Sequence, residues 1–80
     1  DTNSLEGLTF VITGSLMQYP NRDALKAEIE SKGGKVAGSV SSKTSYLINN
    51  DINSASSKNN NAKKLGVPII TEQDYIEKFR

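Results

Sequence analysis

The chain of 80 residues has no cysteine, no histidine and no tryptophan. Without cysteine there is no disulfide framework and no thiol nucleophile, and without histidine as well the usual zinc ligand sets are missing. The same absences remove the common nucleophile–base pairs of covalent catalysis. Neither the GxxxxGK[ST] phosphate loop nor the GxGxxG dinucleotide fingerprint occurs. An excess of one charge is also lacking, because ten Lys and Arg stand against nine Asp and Glu, a formal net charge of +1. This excludes a protein that coats nucleic acid by bulk charge, so an anion site has to be local. No apolar run approaches the roughly 20 residues needed to span a bilayer, and no signal-peptide pattern is present. With hydrophobic residues at only 35%, one domain with a modest core and marginal stability is expected. A chain without disulfides suits a reducing, cytoplasmic setting.

The longest apolar run is Leu8-Thr9-Phe10-Val11-Ile12-Thr13-Gly14. Its β-branched and aromatic residues suit a strand, and apolar side chains at consecutive positions suit one covered on both faces, as in the centre of a parallel sheet. The strand is expected over Thr9–Thr13, and the loop beyond its carboxyl end is the expected place of function.

The polar start, residues 1–4, reads as a linker or boundary within a larger protein, with the domain itself spanning residues 5–80. Leu5 is expected at the sheet edge. After the loop Gly14–Pro20, Asn21 caps a helix over Arg22–Lys32 that stops at Gly33-Gly34. Ala24, Leu25, Ala27 and Ile29 form its apolar stripe, while Lys26, Glu28 and Glu30 face water. Lys35–Ala37 and Tyr46–Ile48 are short strands joined by a polar loop. Asn49–Asn61 contains six asparagines among its thirteen residues, which suits a mobile, solvated loop. Ser56 or Ser57 caps a second helix running through Lys58, Ala62 and Leu65 to Gly66. Val67–Ile70 is a fourth strand, and because Pro68 cannot donate to a ladder, either the strand lies at an edge or the proline starts it. Thr71 and Asp74 form a capping box for a third helix that buries Tyr75, Ile76 and Phe79, with Lys78 and Arg80 at its end. The order β-α-β-β-α-β-α implies an α/β layer structure.

Four blocks now identify a resemblance: Phe10-Val11-Ile12-Thr13-Gly14, Gly33-Gly34-Lys35-Val36, Lys43-Thr44-Ser45-Tyr46-Leu47-Ile48 and Lys64-Leu65-Gly66-Val67-Pro68-Ile69-Ile70. Their order and spacing resemble the BRCT domain over residues 5–79. Within that family the chain is most similar to the C-terminal domain of bacterial NAD-dependent DNA ligases, and the large subunit of the eukaryotic clamp loader, replication factor C, carries a closely similar one. The marks of this subgroup are Arg22-Asp23, Val40-Ser41-Ser42-Lys43-Thr44 and Ser57-Lys58. Tyr75 stands where most members have Trp, as in the ligase subgroup. The resemblance implies a single domain with a four-stranded parallel sheet of order 2-1-3-4, the first and third helices on one face and the second on the other.

That order places a reversal point between the first and third strands, where open α/β sheets bind ligands. The Thr13 hydroxyl and the Gly14 N–H can donate there to a phosphate oxygen, although a Thr-Gly pair also serves simply to turn the chain. Arg22 and Lys58 open the two helices flanking the point, where the helix dipole disfavours a cation, and an anion between them would explain both. In the clamp-loader domain the positions matching Thr13, Arg22 and Lys58 bind a DNA 5′-phosphate, so the resemblance implies a phosphate site. Lys43 adds a sugar-phosphate contact, whereas Lys35 and Lys64 are solubilising. Tyr19 is the one aromatic placed to touch nucleic acid.

The expectation is therefore an accessory module, not an enzyme by itself, that holds nicked or 5′-phosphorylated DNA in replication and repair. The alternative is a protein-interaction module, including one for phosphopeptides. As the resemblance implies, NAD and a divalent metal would serve other domains of the parent ligase and this domain would hold no cofactor. Its partners would be DNA, those other domains and a protein partner, without a membrane, as a monomer in the bacterial cytoplasm at the nucleoid.

Overall fold

Strand β1, Thr9–Ile12, has a hydrogen-bonded neighbour on each side. The computed structural model describes residues 5–53 and 55–79. β1 pairs in parallel with β2, Lys35–Ala37, and with β3, Tyr46–Ile48, which pairs in parallel with β4, Ile69–Ile70. The order is β2-β1-β3-β4, and helices α1 (Arg22–Ser31), α2 (Ser57–Leu65) and α3 (Glu72–Phe79) connect and flank it. The expected four-stranded parallel α/β architecture is present.

The composition of β1 accounts for its central place. Successive strand residues point to opposite faces. Phe10 and Ile12 pack with Leu25 and Ile29 of α1 and with Tyr75 of α3, while Val11 packs with Leu47, Val67 and Ala62 of α2. Both faces are thus dry, with α1 and α3 on one and α2 on the other. Each fully buried aliphatic or Phe side chain stabilises the fold by about 1.5–3 kcal/mol relative to exposure. Phe10 anchors an aromatic cluster, stacked on Tyr46 at 5.7 Å and edge-on to Tyr75 at 5.8 Å and Phe79 at 5.7 Å.

Local signals set the helix ends. The Asn21 side chain accepts from the Ala24 N–H at 2.9 Å, and that of Ser56 from the Asn59 N–H at 3.3 Å. Gly66 closes α2 in the left-handed conformation at φ 75°. The capping box of α3 is reciprocal: Thr71 Oγ1 accepts from the Asp74 N–H at 3.1 Å, and Asp74 accepts from the Thr71 N–H at 3.3 Å. Pro68 precedes β4, so it withholds no ladder bond, and its carbonyl accepts from Leu47 N–H at 2.9 Å.

Several expectations need correction. β1 stops at Ile12 and α1 at Ser31, with Lys32 as the helix C-cap. Leu5, beside the start of edge strand β2, is fully buried in the core, its N–H donating to the Lys32 carbonyl at 3.0 Å. A Cβ on Gly34 would stand 3.2 Å from Leu5 Cβ and 2.7 Å from Ile29 Cγ2, so glycine is what lets these segments close up. Ala27 is exposed, as is Leu65. Glu28 is half-buried and not simply solvated: its Oε2 accepts from the Tyr19 hydroxyl at 2.6 Å and the Tyr75 hydroxyl at 2.9 Å. Tyr19, half-buried, also packs against the core cluster. Residues 1–4, expected to form a boundary, and Arg80, expected at the end of the third helix, lie outside the described residues.

The asparagine-rich segment is the largest departure from expectation. Asn49 is 3% exposed and Asn59 0%. Asn49 Nδ2 donates to Asn59 Oδ1 at 2.7 Å, and Asn49 Oδ1 accepts from the Asp51 N–H at 2.9 Å. Asn59 Nδ2 reaches the carbonyls of Asp51 and Ile52 at 3.2 and 3.3 Å. Two buried amides therefore fasten the turn after β3 to α2. Among the described residues no buried side-chain polar atom lacks a partner.

Candidate functional site

At the carboxyl end of the sheet the chain leaves β1 towards α1 on one face, and leaves neighbouring β3 towards α2 on the other. Two adjoining clefts open at this divergence. The first, of about 470 Å³, is floored by Ile12 and walled by Val36, Ala37 and Gly38 on the β2 side. Arg22, Asp23 and Lys26 of α1 line it, together with Lys58 of α2. Three cations thus face one carboxylate. Arg22, Lys26 and Lys58 form no hydrogen bond or ion pair through their side chains among the described residues.

The second cleft, of about 400 Å³, is lined by Thr13, Gly14, Ser15 and Met17 on one side and by Asn49, Asn50, Asp51 and Ser56 on the other. Its side chains are neutral apart from Asp51. The Thr13 N–H is taken by the Ile48 carbonyl at 3.0 Å, continuing the β1–β3 ladder past the strand. Neither the Thr13 hydroxyl nor the Gly14 N–H has a partner among the described residues. Gly14 sits at φ 79°, and a Cβ there would stand 2.7 Å from Asn49 Oδ1. The turn and the Asn49 amide therefore each call for glycine.

The residues expected from sequence are thus arranged in two groups. Arg22 and Lys58 meet in the cationic cleft, and Thr13 and Gly14 line its neutral neighbour. Lys43 lines neither: it is exposed in the turn after β2, where its N–H donates to Ser41 Oγ at 3.2 Å.

Sequence reasoning missed three contributors. Lys26, expected only to face water, lies four residues after Arg22 and so on the same side of α1, a spacing visible in the sequence. No local pattern marks Asn50 or Glu72. Glu72, the first residue of α3, is 1% exposed. Its carboxylate accepts from the Met17 N–H at 2.6 Å, from the Gln18 N–H at 3.0 Å and from Asn50 Nδ2. Asn50 Nδ2 also donates to the Ser15 carbonyl at 3.0 Å. The loop bearing Gly14 is thereby tied to the turn after β3 and to α3. Among the described residues no group of three or more acidic side chains is placed to hold a metal ion, and no helix is long and apolar enough to cross a membrane.

Comparison with known proteins agrees with this architecture. Residues 2–74 match the family model of the BRCA1 C Terminus (BRCT) domain. The chain is similar to bacterial proteins named DNA ligase: 57% identical over 95% of the chain to that of Lachnoclostridium phytofermentans. It is 62% identical over 90% of the chain to that of Ruminiclostridium cellulolyticum, and 48% identical over 96% to that of Corynebacterium jeikeium. It spans only 12%, 11% and 11% of those proteins' lengths. The family match over nearly all of the sequence, and a parallel sheet of order β2-β1-β3-β4 flanked by three helices, place this chain in the BRCT domain family.

Proposed function

We propose that the chain is the accessory BRCT module of a bacterial NAD-dependent DNA ligase and that it holds nicked or 5′-phosphorylated DNA through a local phosphate site. The observation that carries this reading is the convergence of Arg22 and Lys58, from helices on opposite faces of the sheet, on one cleft. An arginine can fork two phosphate oxygens while a lysine acts as a point charge. Thr13 and Gly14, next in the chain to the Ile12 floor, offer an uncommitted hydroxyl and N–H as neutral donors. Lys43 would lie beyond the cleft, where the adjoining backbone could pass. With a formal net charge of only +1, binding rests on this cluster and not on the whole surface. NAD, a divalent metal and the adenylation chemistry would belong to other domains of such a ligase, in the bacterial cytoplasm at the nucleoid.

The test is binding of the monomeric chain to one duplex prepared with a 5′-phosphate, with a 5′-hydroxyl, and with a nick. A preference for the phosphorylated forms, lost in Arg22→Ala and Lys58→Ala, is the expected result. Equal affinity for both ends in the wild type would remove the terminal-phosphate reading. A protein partner would then be the better reading, and binding that survives high salt would mark it, because contacts to several phosphates weaken steeply with salt.

A further inference from the structure

Lys26 is the cation of the cleft that a single phosphate leaves unexplained. The cleft, at about 470 Å³, has several times the volume of a phosphate group. Its cations are also spread out: Lys26 lies four residues beyond Arg22, an advance of about 6 Å along α1. That is the scale separating successive phosphates on one nucleic-acid strand. Between the cations and the edge strand the wall changes character, because Val36 and Ala37 are apolar and half-buried and Gly38 carries no side chain. Such a wall suits the carbon face of a sugar and offers it no hydrogen-bonding side chain.

We infer that this cleft takes the whole 5′-terminal nucleotide of a DNA strand, with Lys26 contacting the first phosphodiester in from the end. The inference rests on the reading of Arg22 and Lys58 as ligands of the terminal phosphate and adds the path of the strand beyond it. The sugar of the first nucleotide lies on Val36 and Ala37, and the strand runs along α1 from its first turn towards its second. Asp23, the one carboxylate lining the cleft, disfavours a second anion at the mouth and so directs the strand to the Lys26 side.

The experiment uses a 5′-phosphorylated hairpin duplex and the same hairpin with a neutral methylphosphonate at the first internucleotide linkage. The wild-type chain should bind the modified hairpin about three- to ten-fold more weakly, the lower range of a charge-assisted contact because Lys26 is exposed. Lys26→Ala should lose a similar factor on the ordinary hairpin and nothing further on the modified one. Its slope of log affinity against log salt should fall by about one. Lys26→Arg, which keeps the charge, should retain the discrimination. If Lys26→Ala loses the same factor on both hairpins, or loses nothing on either, the inference is overturned. Arg22→Ala and Lys58→Ala, compared on 5′-phosphate and 5′-hydroxyl ends, report separately on the terminal-phosphate reading. Should the losses in those two variants stay confined to the 5′-phosphate end while Lys26→Ala loses the same factor on both hairpins, only the nucleotide-length site fails.

Discussion

Asn50 and Glu72 are hydrogen-bonded in both directions: the Glu72 N–H donates to Asn50 Oδ1 at 3.0 Å, and Asn50 Nδ2 donates to Glu72 Oε1. The pair joins the residue that starts α3 to the turn after β3, and through Met17 and Gln18 it also holds the loop after β1. Three segments that are far apart in sequence thus share one carboxylate at the edge of the candidate site.

Glu72→Ala should therefore be costly out of proportion to its size. It leaves two backbone N–H groups without their acceptor and the Asn50 amide with only the Ser15 carbonyl. At about 1–3 kcal/mol for each poorly satisfied group, partly relieved by water, a total loss of about 2–4 kcal/mol is expected. Glu72→Gln keeps one acceptor oxygen and should lose less. Chemical denaturation of the three proteins checks this, and an unchanged midpoint for Glu72→Ala would show that the loop does not depend on the carboxylate.

The buried amide pair predicts an uneven pattern of hydrogen exchange within the asparagine-rich segment. Asn49, whose N–H donates to the Ile70 carbonyl at 2.8 Å, should exchange slowly, and so should the buried part of α2 around Ala62. Exposed Ile52 and Asn53 should exchange fast. Asn59→Ala would orphan the Asn49 amide and should cost about 1–3 kcal/mol. Uniformly fast exchange from residue 49 to residue 61 would mean that the amide pair does not persist in solution.

Tyr75 is fully buried, touches Phe10 and Phe79, and donates its hydroxyl to Glu28. Tyr75→Ala should cost about 3–5 kcal/mol, as other large aromatic truncations do. Tyr75→Phe removes only the hydroxyl bond and should cost about 1–3 kcal/mol, the upper end applying because the acceptor is a carboxylate. Thermal unfolding separates the two, and equal effects would mean that the hydroxyl carries the whole contribution of the ring.

Gly14→Ala should destabilise the chain although the position is exposed. The residue sits at φ 79°, and the new methyl would meet Asn49 Oδ1 at 2.7 Å. A loss of about 1–3 kcal/mol is expected from the backbone strain together with the displaced amide. Combining it with Asn49→Ala should recover the steric part, so the double variant should be more stable than the sum of the singles implies.

Arg22→Ala and Lys58→Ala should each weaken binding to a 5′-phosphorylated end about ten- to a hundred-fold, the size of one charge-assisted hydrogen bond. Both side chains are uncommitted within the described chain, so unfolding midpoints should stay close to that of the wild type. A matching loss of stability would show that they act through the fold instead.

The set of elements and their kinds is legible in the chain alone. Those signals are local: the doubly apolar run of β1, the Asn21 cap, the Thr71–Asp74 box and the glycine after α2 each act within a few residues. The resemblance to the BRCT family then supplied the order of the strands. Which polar side chains are drawn into long-range contacts emerged only in the fold. Glu28 and Tyr75 are 47 residues apart, Met17 and Glu72 are 55 apart, and nothing local distinguishes Glu28 from the exposed Glu30 beside it. The asparagines looked solvated because burial of an amide depends on a partner, and the partner of Asn49 lies on a helix that forms only when packed. The candidate site divides the same way. Arg22 and Lys58 were legible as cations misplaced against their helix dipoles. That they share one cleft with Lys26, while Thr13 and Gly14 line the next, follows from the packing of α1 and α2 on opposite faces of β1. The physical reason is common to both: backbone propensity and capping are settled over one turn of chain, whereas burial and convergence are settled by residues that meet only in the fold.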